Sequence, residues 1–226
     1  MLAEFFSKGI MRNVTCAITI IFVVICTTYA VSLSKVKAIP FEAKVYFLVG
    51  QDMQVEAGAE FIKWNGGAGY LLECKESQYA VISVFFDRGS AESVQERLRE
   101  NGQKTEVLLK GRDALYFKGK EKKNCAMYLS ALSLFKNYMS ILENCIGRLE
   151  NGMTQESCKR ILTMLQKQFH YAARSFEGYT TFSKLCRQSE EWLEEVCKET
   201  IYLRDLRYLL CWQAEKYIKL CDDFSL

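Results

Sequence analysis

The stretch YAVISVFFDRGSAESVQERLRENGQKTEVL, residues 79–108, runs from one strand-like segment through a helix-like one to a second strand-like segment. YAVISVFF is rich in β-branched and aromatic residues, which favour a pleated, half-buried surface. DRGS then opens a helix, with Ser90 the expected N-cap and Ala91, Val94 and Leu98 on one stripe. Asn101-Gly102-Gln103 stops it, and KTEVLLK reads as the next strand. The same plan stands upstream in VYFLVGQDMQVEAGAEFIKWNGGAGYLLEC, residues 45–74. There KVYFLV is the strand, Val55 to Trp64 the helix, NGGAG at 65–69 its stop and YLLEC the second strand. Two β-α-β units in tandem predict a ferredoxin-like βαββαβ sandwich over residues 44–111. Both helices would cover one sheet face, leaving the other open or for a partner.

From residue 121 the pattern changes to a helical one. Tyr128, Ala131, Phe135, Tyr138, Leu142, Cys145 and Leu149 recur at spacings of three and four, the seam of an amphipathic helix. ENGMTQES, residues 150–157, breaks it, with Thr154 the expected N-cap of the next helix. Leu162, Leu165, Phe169, Ala172 and Phe176 form a second stripe up to Gly178. Phe182, Leu185, Trp192, Val196, Leu203, Leu206 and Leu210 keep the rhythm nearly to the end. Three helices are expected over residues 121–226, the last very long, packed as an antiparallel bundle. The fold class is therefore α+β. A single proline in 226 residues accords with long uninterrupted helices.

NVTCAITIIFVVICTTYAVSL, residues 13–33, carries no charged residue. About 20 apolar residues cross a hydrocarbon core as a helix. The short arm of residues 1–12 argues for a signal anchor with that arm in the cytoplasm and the bulk of the chain extracytoplasmic. Thr28 and Ala30 at A-x-A-like spacing leave open a cleaved signal peptide. Lys8 and Arg12 before the segment and Lys35 and Lys37 after it nearly balance, so the reverse orientation stays open as well.

The net charge is +3, and no segment is basic enough for nucleic acid to be the main partner. The ten cysteines form no C-x-x-C pair, and His170 has no cysteine beside it, so a metal centre is not expected. Most cysteines are expected in the core, with disulfides open if the domain lies outside the cytoplasm. NGGAG lacks the Lys-Ser/Thr of a phosphate loop and follows a helix. His170 reads as a packing residue, and EEWLEEVCKE, residues 190–199, as a solvated helix face. KGKEKK, residues 118–123, reads as a solvated linker into the bundle. No enzyme and no cofactor are expected.

The duplicated module resembles the SPOR domain, the sporulation-related repeat that binds bacterial peptidoglycan. VYFLVG, residues 45–50, looks like that family's opening strand running into a glycine. YAVISVFFDRGSAESVQERLRENG, residues 79–102, looks like its second half, where Phe86 ends the strand and an alanine lies early in the helix. A membrane anchor ahead of such a domain is similar to the family's usual architecture. The resemblance implies a cell-envelope protein, linked to sporulation or cell division, that binds glycan strands stripped of their stem peptides. On the family's open sheet face this chain would place Tyr46, Leu48, Ala80, Ile82 and Val84, opposite Phe47, Val49, Tyr79 and Val81. Leu48 and Ile82 stand where the family has polar residues, and Val84 replaces a glycine. So apolar a face implies a second reading, a scaffold that has lost glycan binding and packs this face on the helical bundle or on a protein partner. An RNA-recognition module shares the element order but wants further aromatics and arginine beside Tyr46.

Overall fold

The computed structural model describes residues 36–51, 55–74, 77–119, 121–198 and 200–224. The apolar segment 13–33 lies outside the described residues, and no described helix is long and apolar enough to cross a membrane. The described chain starts with β1 (Lys37–Gly50), α1 (Val55–Trp64), β2 (Tyr70–Cys74), β3 (Ser77–Phe85), α2 (Arg88–Glu100) and β4 (Thr105–Phe117). Four helices follow: α3 (Glu121–Glu150), α4 (Gln155–Ser175), α5 (Thr180–Lys198) and α6 (Leu203–Asp222). The strands form one antiparallel sheet in the order β2-β3-β1-β4.

Local chemistry sets most boundaries. Gly66 at φ 84 closes α1, with the Gly67 N–H donating to the carbonyl of Ile62. The N-cap of α2 is Asp87, not Ser90: its carboxylate accepts from the Ser90 N–H at 2.7 Å. An aspartate three residues before a free N–H meets the helix dipole with a full charge, which serine cannot. Thr154 caps α4 as expected. Residues 121–123 of the basic run lie inside the first turn of α3, where Glu121 accepts from the Lys118 N–H.

The last two helices are separate where one was expected. Ile201 turns inward and is buried, and both its backbone groups bind the side chain of Gln155. Gln155 Nε2 donates to the Ile201 carbonyl at 3.0 Å, and its Oε1 accepts the Ile201 N–H at 3.1 Å. A side chain from the start of α4 thus replaces helical partners, so the chain breaks without glycine or proline.

β1 and β4 run on past the rest of the sheet as a two-stranded ribbon, and only there does Pro40 sit, on a strand whose other edge has no partner strand. A bulge between Pro40 and Ala43 is matched by Gly111 at φ 141, where a Cβ would meet the Ala43 carbonyl oxygen at 1.8 Å. Beyond the bulge Tyr116 donates to the Phe224 carbonyl, and Phe117 packs against the Phe224 ring.

Sheet and helices share one core. Phe47, Val49, Leu72, Val81 and Val84 belong to the same buried cluster as Phe135, Leu142, Leu210 and Tyr217. α6 contacts all four strands, and α3 and α5 flank it. Seven cysteines, Cys125 through Cys221, are buried as free thiols, and Cys74 is half-buried. They pack as small hydrophobes.

Candidate functional site

The five residues expected on one open face are divided between two covered faces. A bulge makes the division. Leu48 is opposite Ser83, but Val49 is opposite Val81, so Ile82 is an extra residue on β3. Its carbonyl turns to accept the Ala68 N–H at 2.8 Å. Before the bulge Ala80 and Ile82 pack under α1 with Ala59 and Ile62. After it Val84 pairs with Phe47 and joins the cluster shared with the helices of the C-terminal half. Leu48 is fully buried and Tyr46 half-buried, both on the side opposite Phe47.

The expected faces are therefore exchanged. The side with Leu48, Ala80 and Ile82 carries the sandwich's own helices, whereas Phe47, Val49 and Val81 meet the bundle. Strand alternation separates the two sets but is symmetric as to which one the local helices cover. Among the described residues, the sheet leaves no broad face to solvent.

Polar groups lock the sheet to α6. The Tyr70 hydroxyl donates to Glu215 Oε2 at 2.5 Å, and Lys219 Nζ lies 2.9 Å from Glu215 Oε1. Burial raises the Glu215 carboxyl, but Tyr70 and Lys219 together outweigh it and leave the group below its ordinary value. Burial and the adjacent carboxylate raise the Tyr70 phenol. Arg207 donates to the Gly66 carbonyl and to Glu150, which ties the α1 stop to α3 and α6. Arg112 Nε meets Asp222 Oδ1 at 2.7 Å.

An aromatic cleft of about 460 Å3 lies between α1, α5 and the start of α6, lined by Lys63, Trp192, Glu195, Tyr202, Arg204 and Tyr208. The Trp192 ring stacks on Tyr208 at 5.7 Å and on Trp212 at 6.2 Å. Tyr70 meets Tyr208 edge-on at 5.1 Å, so the platform is continuous with the Tyr70–Glu215 lock. The Arg204 guanidinium sits 4.9 Å above the Tyr202 ring. Trp192 is 38 % exposed and Tyr202 49 %. On α1, Phe61 and Trp64 flank Lys63 in sequence, and Trp64 is 80 % exposed. A rigid aromatic floor with Arg, Lys and Glu at its rim suits contact with another macromolecule.

No local pattern marks this cleft: residues 190–199 read as a solvated helix face, and the helical rhythm runs on through residues 200–202. The cleft exists because the chain breaks there. His170 pairs with Glu190, Nδ1 to Oε1 3.0 Å, in an open groove between α4 and α5. Among the described residues, no group of three or more His, Cys, Asp or Glu is placed to hold a metal ion. No protein-family model, no curated protein and no solved structure matches this chain.

Proposed function

We propose that this chain is a non-catalytic interaction protein of the cell envelope, tethered by residues 13–33 with its bulk outside the cytoplasm. Its SPOR-like, ferredoxin-like sandwich serves as a scaffold that no longer binds glycan strands. One observation carries the reading: of the strand residues that a glycan would have to reach, Ala80 and Ile82 pack against α1, Val84 joins the core shared with the C-terminal helices, Leu48 is fully buried, and Tyr46 is half-buried. A sugar needs hydroxyl-bonding side chains beside an accessible aromatic face. Leu48, Ala80 and Val84 are buried and apolar. Accessible aromatic rings cluster instead around Trp64, Trp192 and Tyr202, which we assign to a protein partner.

The test is cosedimentation of the full-length chain, in detergent micelles, with purified peptidoglycan sacculi before and after an amidase removes the stem peptides. The chain is expected to stay in the supernatant with both. Pelleting that rises on stripping, and that survives Trp192→Ala and Tyr202→Ala, would return the glycan reading.

A further inference from the structure

Two thiols face each other across the α3–α4 hairpin. Cys145 lies near the end of α3 and Cys158 near the start of α4, with their sulfurs 3.3 Å apart. The turn between the helices is closed by Gly152 at φ 91 and the Thr154 cap, so their relative placement is held from both ends. Cys145 is 1 % exposed and Cys158 0 %. A disulfide needs sulfurs about 2.05 Å apart, so a closing movement of little more than an ångström completes the bond.

We propose that Cys145 and Cys158 form a disulfide that staples α3 to α4, made by exchange with a small disulfide oxidant such as oxidised glutathione. The proposal rests on the reading that this part of the chain lies outside the cytoplasm, where such bonds persist. The two orders of attack are chemically equivalent, and one begins at Cys158. Its thiolate attacks one sulfur of the oxidant and expels the other half as a thiolate. The Cys145 thiolate then attacks the Cys158 sulfur and expels the second half. Two electrons pass to the oxidant, and the two cysteine protons leave with its two thiols. Both sulfurs are buried in the finished fold, so exchange takes place while the hairpin is still open in the folding chain.

The hairpin suits a direct readout. Tryptic cleavage after Lys136, Arg148 and Lys159 puts Cys145 and Cys158 on different peptides, and Cys197 falls on a third. The full-length chain is reduced, unfolded, and refolded in detergent with oxidised glutathione, then alkylated and digested without reductant. The expected product is the 137–148 peptide linked to 149–159. Closing so short a loop should lower the unfolding equilibrium constant on the order of 100-fold, reversed by dithiothreitol and absent in Cys145→Ser. Linkage of either cysteine to Cys197, or full alkylation of both, overturns the pairing. A second sample, acid-quenched and alkylated directly from cells, separates the two claims. The linked peptide there supports both. Free thiols in cells together with a linked peptide after refolding overturn the cellular disulfide and the extracytoplasmic placement, and leave the glycan result above unaffected.

Discussion

The Tyr70 hydroxyl donates to Glu215 Oε2 at 2.5 Å, joining the second strand to the last helix across 145 residues of chain. Tyr70 contributes through its ring as well, edge-on to Tyr208 under the aromatic cleft. One residue therefore couples sheet docking to the shape of the candidate interaction surface.

Tyr70→Phe keeps the ring and removes the donor. At neutral pH it should cost about 1.5–3 kcal/mol, the range for hydrogen bonds to charged groups. The sign with pH follows from Glu215, whose folded carboxyl lies below its ordinary value, with burial opposing and Tyr70 and Lys219 prevailing. The stabilisation is fully present above the unfolded carboxyl pKa of about 4.3 and is lost as pH falls through the lower folded value. Urea unfolding of wild type and variant should show a gap at pH 7 that narrows below about pH 4. A gap of constant size would mean that the hydroxyl acts through something other than the Glu215 charge.

Leu48 and Leu109 test the covered sheet. Leu48 is 0 % exposed and Leu109 56 %. Leu48→Arg buries a charge without a partner and should cost about 3–5 kcal/mol, while Leu109→Arg should stay within about 0.5 kcal/mol. Equal melting temperatures for the two variants would show that the Leu48 face is open to water.

Gly111 is expected to be the least replaceable glycine of the ribbon. Its φ is 141, and a Cβ would meet the Ala43 carbonyl oxygen at 1.8 Å, a backbone atom that cannot swing away. Gly111→Ala should cost about 3 kcal/mol or unfold the ribbon outright. Gly102, at φ 79 with open space around it, serves as the comparison. Gly102→Ala should cost about 1–2 kcal/mol, the backbone penalty alone. Chemical unfolding of both variants would order them.

Gln213 is fully buried in α6, and neither amide atom has a protein partner among the described residues. Gln213→Met keeps the length and removes the unsatisfied groups. Stability should rise by about 1–2 kcal/mol, measured as a shift in the urea midpoint at constant slope. A loss of stability would indicate that the amide is hydrogen-bonded in solution.

The order of elements is legible in the chain itself. Alternation in KVYFLV and YAVISVFF, three-four spacing from Tyr128 to Leu149, NGGAG and Thr154 are local signals, each acting within a turn or a strand of its own residue. They determined four strands, two short helices and a helical C-terminal half. Tertiary structure decided three further matters. α1 and the C-terminal helices chose which sheet face each would cover, and the extra residue Ile82 moved Val84 from one face to the other. Gln155, lying 46 positions before Ile201, captured both its backbone groups and broke the last helix, opening the aromatic cleft. Glu215 found Tyr70. Periodicity records how a segment divides into faces, and it carries no trace of the partner that arrives from far along the chain to bury one of them.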